Sequence, residues 1–65
     1  MKVDLNTLMA RLRQIQALDI NAHSIYEELA NLTEDLKQRK ILSGVAQDEK
    51  RHIALGKEML SILER

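Results

Sequence analysis

The hydrophobic positions of this 65-residue chain recur with a helical period along almost its whole length. In each half, steps of three and four residues alternate, which is the heptad pattern of helices that pack side by side. The first series runs Leu5, Leu8, Leu12, Ile15, Asp19, Ala22, Tyr26 and Leu29, and the second runs Leu42, Val45, Glu49, His52, Gly56, Met59 and Leu63. Flanking apolar residues widen both stripes: Leu18, Ile25, Leu32, Ile41, Leu55 and Ile62. The pattern predicts an all-α protein of two helices.

The two series are interrupted close to Asp35, a residue that favours the N-cap position of a helix. Gln38 follows three residues later, as in a capping box. We therefore predict helix 1 at about residues 4–33 and helix 2 at about 36–64, within one domain spanning 1–65. A connection this short makes the two helices antiparallel, so the chain forms a helical hairpin.

A chain of 65 residues has too small a core to be stable without a staple or a partner. It contains no cysteine, so a disulfide is excluded and a metal ion or self-association remains. A two-helix hairpin also leaves one side of its apolar stripe uncovered. We therefore expect a homodimer or higher homo-oligomer, in which two hairpins form a four-helix bundle. We interpret Gly44, within helix 2, as a close contact between helices.

Composition excludes several classes of protein. Proline, tryptophan and phenylalanine are absent and Tyr26 is the only aromatic residue, which argues against a β-sandwich or barrel. Ten basic and ten acidic residues give no net charge, so nucleic-acid binding is not expected. No apolar run is long enough for a membrane span. The N-terminal residues lack the features of a secretory signal, and we expect a cytoplasmic protein.

Three residues in the two series are polar where apolar residues are expected: Asp19, Glu49 and His52. Asp19 lies 15 residues before Glu34 and Glu49 lies 15 residues after it. In an antiparallel hairpin both therefore lie at the same height, ~22 Å from the connection. His52 is three residues from Glu49 and shares its face. The spacing predicts that three metal-binding side chains converge in the middle of the seam.

Charge explains why such a cluster needs cations. In a dimer, two copies each of Asp19 and Glu49 would bring four carboxylates into an apolar interior, and two divalent ions would neutralise them. Carboxylate and imidazole ligands suit iron, manganese or zinc. His23 is either a further ligand, a residue on the access path or a solvated side chain. Tyr26 is interpreted first as a core residue.

Two stretches carry a resemblance to a known family. Asp19, followed by Ala22 and Tyr26, looks like the first metal-binding helix of the ferritin-like superfamily, and Glu49-Lys-Arg-His52 looks like its second. The chain resembles rubrerythrin-like domains and the two-helix encapsulated ferritins, and the 30-residue separation of its two carboxylates fits the pattern of the latter. The resemblance covers roughly residues 15–63.

The resemblance implies iron ligands at Asp19, Glu49 and His52, which would also be the catalytic residues, with Tyr26 beside the site. It implies a dimer that holds two iron ions, and oxidation of Fe(II) by O₂ or iron storage. The family has Glu where this chain has Asp19, a side chain one methylene shorter and less suited to bridging two ions. No terminal extension resembles a targeting peptide, so residence in an encapsulin shell is not expected.

Two other functions are consistent with the same pattern. A hairpin dimer could serve as an interaction or RNA-binding module, although that function favours a basic stripe, which this neutral chain lacks. A purely structural bundle could use the polar layer to fix the register of its helices. Only the metal-binding hypothesis requires a nearly stoichiometric transition metal in the purified protein.

Overall fold

The computed structural model describes residues 4–65, which form two α-helices, α1 (Leu5–Leu32) and α2 (Leu36–Leu63). Each helix has 28 residues, and the two pack against each other along their length in a rod of 47 × 18 × 16 Å. The prediction of an all-α chain with two packed helices is confirmed, with helix bounds inside the predicted ones. Neither helix within the described range has a segment apolar enough to cross a membrane.

Each helix begins at an aspartate that caps its first turn. Asp4 accepts hydrogen bonds from the backbone N–H and the hydroxyl of Thr7, at 2.9 and 3.0 Å. Asp35 accepts one from the backbone N–H of Gln38 at 2.8 Å, as the sequence predicts. The three residues between the helices are held from α2, because Arg39 Nε donates to the carbonyl oxygen of Thr33 at 3.0 Å. These bonds satisfy backbone groups that a helix end leaves free.

On both helices, the face that packs in the seam is rotated about the helix axis relative to the predicted face. Buried and half-buried residues on α1 are Met9, Leu12, Gln16, Asp19, Ala22, His23, Tyr26 and Ala30, and on α2 they are Leu42, Val45, Ala46, Glu49, Ile53, Gly56, Leu60 and Leu63. Six residues of the predicted seam are instead exposed: Leu5, Leu8, Ile15, Leu29, His52 and Met59. Each helix carries two neighbouring apolar stripes, and the α1–α2 contact uses the one with the smaller residues, such as Ala30 and Ala46.

The second apolar stripe remains open to solvent. Its large members are Leu8, Ile15, Leu18, Ile25, Leu29 and Leu32 on α1 and Ile41, Leu55, Met59 and Ile62 on α2; we call these residues the outer stripe. They also follow steps of three and four residues, apart from two skipped positions on α1 and three on α2. Helical periodicity places the two halves on the same side of the hairpin. The hairpin therefore has one broad apolar face that its own helices do not cover.

Of the two glycines of α2, Gly56 and not Gly44 lies at a close approach between the helices. A Cβ atom at Gly44 would meet nothing within 4 Å, so the predicted close contact at Gly44 is wrong. A Cβ atom at Gly56 would lie 3.1 Å from Cγ of Gln16. A methyl group at Gly56 would therefore press on the Gln16 side chain, which crosses the seam there.

Candidate metal centre

The structure brings Asp19, Glu49 and His52 together near the middle of the hairpin. Each offers one ligand atom, and these atoms all lie within 4.8 Å of one another. Asp19 comes from α1, while Glu49 and His52 lie one turn apart on α2. We call this group the Asp-Glu-His cluster. Its members come from both helices, so the cluster depends on the register in which α1 packs against α2.

Two hydrogen bonds between the helices flank the cluster and hold that register. On one side, Gln16 Nε2 donates to the carbonyl oxygen of Ile53 at 3.3 Å. On the other side, Nδ1 of His23 lies 2.8 Å from the carbonyl oxygen of Ala46. Gln16 and His23 are about one turn before and one turn after Asp19 on α1. Both bonds join a side chain of α1 to the backbone of α2, so they keep Asp19 level with Glu49.

Glu49 is the member of the cluster whose carboxylate is least well satisfied and whose pKa is raised. Its Oε2 atom is buried and has no hydrogen-bond partner. Burial raises the pKa of the Glu49 carboxyl, and Asp19 raises it further, by favouring the protonated form as an acceptor and by repelling the charged form. A smaller opposing effect on this pKa comes from His52, whose Nδ1 lies 3.9 Å from Oε2. A buried oxygen without a partner is unfavourable unless a proton or a cation satisfies it.

The cluster fits a transition-metal ion in ligand chemistry and in spacing. Ligand atoms about 2.0–2.2 Å from an ion are separated by no more than roughly 4.4 Å, so the observed group closes around one with only small side-chain movements. His52 is free to make such a movement, because 57% of its side chain is exposed. Two carboxylates and an imidazole suit iron, manganese or zinc. An ion there would satisfy the unpartnered oxygen of Glu49.

The cluster opens towards the outer stripe. Helical periodicity puts His52 in line with Leu55 and Met59, two exposed members of that stripe. Asp19 and Glu49 are half-buried in the seam. Asp19, Glu49 and His52 would hold an ion with three protein ligands, which leaves it able to bind water or a further ligand.

The other candidate residues lie outside the Asp-Glu-His cluster. His23 is half-buried, and its two ring nitrogens face Ala46 and Glu27 rather than the cluster. Tyr26 is half-buried in the seam about two turns from Asp19, in agreement with its interpretation as a core residue. Asp48 is exposed and pairs with Arg51 at 2.6 Å.

Sequence reasoning missed Gln16, which is half-buried and hydrogen-bonded across the seam. A signal for it was present. Gln16 lies four residues after Leu12 and three before Asp19, which is the heptad spacing of a seam position. The neighbouring Ile15 fits an equally regular series and is apolar, so the prediction placed Ile15 in the seam in place of Gln16.

Comparison with protein-family models, curated proteins and solved structures finds no match for this chain.

Proposed function

We propose that this chain binds divalent transition-metal ions, iron first among them, at a site that two copies complete by forming a four-helix bundle. The unpartnered Glu49 oxygen beside Asp19 and His52 carries this proposal. A buried carboxylate next to a second carboxylate is costly without a counter-charge. A divalent cation supplies that charge at the place where the ligand atoms already converge.

The outer stripe supports the dimer. Among residues 4–65 of the single hairpin, the buried apolar residues are Ala30, Ala46 and Leu60, while large residues such as Leu18 and Leu55 are 69% and 58% exposed. An apolar face of this extent is typical of a protein–protein interface. A second hairpin related by a two-fold axis would cover it with the same face. Because His52 lies on that stripe, the same contact would enclose the metal site.

Dimerisation also balances the charge of the site. Two copies each of Asp19 and Glu49 contribute four negative charges, which two divalent ions would neutralise. Two chains would also supply six ligands to two ions. Manganese and zinc accept the same ligands as iron, so the ligands alone do not select among the three metals.

For iron, we further propose that Fe(II) bound at this site is oxidised by O₂. Two neighbouring Fe(II) ions can each give one electron to the same O₂ molecule, which takes up two protons from water and becomes H₂O₂ while both ions become Fe(III). The resemblance of Asp19, Glu49 and His52 to the ligands of ferritin-like proteins supports this activity, and so does the mixed oxygen and nitrogen ligand set. In such a reaction the chain holds and orients the ions, while the apolar surroundings limit the access of water.

The proposal is tested by the metal content and Fe(II) oxidation rate of matched variants. Glu49→Gln keeps the size of the side chain and removes its charge, and Glu58→Gln makes the same change at an exposed position of α2. We expect Glu49→Gln to lose most of the iron and the O₂ consumption, while Glu58→Gln retains both. Equal iron content in the two variants would contradict the metal site. Equal oxidation rates with unequal iron content would contradict the oxidase activity alone.

A further inference from the structure

His23 and Glu27 form a second polar group of the hairpin, separate from the Asp-Glu-His cluster. The two residues are one turn apart on α1, and Nε2 of His23 lies 3.1 Å from a carboxylate oxygen of Glu27. The other ring nitrogen, Nδ1, lies 2.8 Å from the carbonyl oxygen of Ala46 on α2. The His23 side chain is 22% exposed, so its ring is held between the helices.

These contacts determine where the imidazole carries its proton. A backbone carbonyl only accepts hydrogen bonds, so Nδ1 of His23 must be the donor to Ala46. In a neutral ring the other nitrogen, Nε2, then has a lone pair and no hydrogen. Nε2 lies beside an oxygen of the Glu27 carboxylate, which also only accepts. A proton on Nε2 would make this 3.1 Å contact a salt bridge, and a metal ion coordinated by both atoms would stabilise it in the same way.

The geometry suits a metal ion. An ion about 2.1 Å from both Nε2 of His23 and the Glu27 oxygen would see them at an angle of about 95°, between octahedral and tetrahedral values. A metal-binding histidine typically donates its other N–H to a carbonyl or carboxylate, and His23 already does so to Ala46. The ring is therefore preset in the tautomer and orientation that metal binding requires.

A polar groove that Glu27 helps to line offers room for the remaining ligands. The groove has a volume of about 290 Å³ and is lined by Glu27, Ala30, Asn31, Ser43, Ala46 and Gln47. Its walls carry amide and hydroxyl oxygens, and its volume holds several water molecules at roughly 30 Å³ each. Helical periodicity places Ser43 and Gln47 on the opposite side of α2 from His52. A second copy packed on the outer stripe would therefore leave the groove open.

We propose that His23 and Glu27 form a second site for a divalent transition metal, completed by water and by oxygen atoms of the groove. One imidazole and one carboxylate favour zinc, copper or nickel among the available ions. The site holds one ion per chain and does not depend on the Asp-Glu-His cluster or on dimerisation. It can therefore bind metal whether or not the proposed function is correct.

The test measures Zn(II) binding by titration calorimetry in a Glu49→Gln background, which removes the central ligand of the other cluster. We expect one Zn(II) per chain in this background. Adding Glu27→Gln should weaken that binding at least about tenfold, since one of the two protein ligands is lost. Glu28→Gln is the matched control, because it removes the same charge from the neighbouring exposed residue. Glu27→Gln also leaves the bond from His23 to Ala46 in place, so the helix packing is retained.

A nitrogen NMR measurement identifies the ligand atom. On addition of Zn(II) to the Glu49→Gln protein, the Nε2 resonance of His23 should shift, while Nδ1 stays protonated. Equal zinc affinity in the Glu27→Gln and Glu28→Gln proteins would overturn the proposal. Absence of zinc binding in the Glu49→Gln protein would also overturn it, and would leave His23 and Glu27 as an ion pair held by a proton.

Discussion

Gln16 and Gly56 fit together across the seam of the hairpin. The Gln16 side chain donates to the carbonyl oxygen of Ile53 at 3.3 Å, and its Cγ atom would lie 3.1 Å from a Cβ atom placed at Gly56. Gly56 thus leaves the space in which the Gln16 side chain reaches the backbone of α2. The bond lies about one turn from Asp19 and Glu49, so this small residue helps to set the register of the Asp-Glu-His cluster.

The two glycines of α2 should therefore respond differently to alanine. Gly44→Ala should raise the free energy of unfolding by roughly 0.5–1 kcal/mol, since alanine favours the helix and the added methyl meets no atom. Gly56→Ala should gain less or lose stability, because Gln16 must move. Urea denaturation of both variants measures the difference. A larger gain from Gly56→Ala than from Gly44→Ala would contradict the proposed fit of Gln16.

The N-cap at Asp35 should stabilise the start of α2. Asp35→Ala removes the acceptor for the backbone N–H of Gln38 and should lower the free energy of unfolding by about 1 kcal/mol. Asp35→Asn is the control, because asparagine caps helices about as well as aspartate. If Asn and Ala at this position unfold at the same denaturant concentration, the capping bond contributes nothing measurable.

The raised pKa of Glu49 predicts how the metal-free protein depends on pH. The folded state holds the Glu49 proton more tightly than the unfolded chain, whose carboxyl has the ordinary pKa of 4.5. Its contribution to stability is therefore greatest below pH 4.5 and declines as the pH rises from there through the folded-state pKa. Denaturation of metal-free protein across this range measures the decline. The free energy of unfolding of Glu49→Gln should not decline in this way, whereas that of Glu58→Gln should. A decline of equal size in both variants would show that another group is responsible.

A bound metal ion should offset the repulsion between the Asp19 and Glu49 carboxylates and so stabilise the folded dimer. An ion that binds only the folded dimer raises its melting temperature, and chelation lowers it again. Asp19→Leu removes a charge from the seam, so the metal-free variant should melt at a higher temperature than the metal-free native protein. Added metal should raise the melting temperature of this variant only slightly. Thermal melts of both proteins with and without anaerobic Fe(II) test this. If Fe(II) raises the melting temperature of the Asp19→Leu protein as much as that of the native chain, Asp19 is not a metal ligand.

Helix formation and the position of the cluster could be predicted from local information. The period of the apolar residues and the cap at Asp35 gave both helices to within about one residue. Because a helix rises by a constant amount per residue, equal distances from the connection were enough to place Asp19 level with Glu49. His52 then followed from its spacing of three residues from Glu49.

The rotation of the helices could not be predicted in the same way. Ile15 and Gln16 belong to two neighbouring heptad series, and so do Met59 and Leu60. Hydrophobicity alone favours Ile15 over Gln16 in the seam. The structure places Gln16 there, where its side chain donates to the carbonyl oxygen of Ile53. A hydrogen bond between distant residues cannot be read from the period of either series. The same holds for the bond from His23 to Ala46.

The central claim is that two chains share a metal site built from the Asp-Glu-His cluster. Anomalous diffraction at the iron absorption edge, from crystals grown with Fe(II) under anaerobic conditions, tests it most directly. The account predicts two iron peaks close together at the contact of two hairpins, ligated by Asp19, Glu49 and His52 of both copies. A dimer packed through the outer stripe with no iron at these residues would contradict the account.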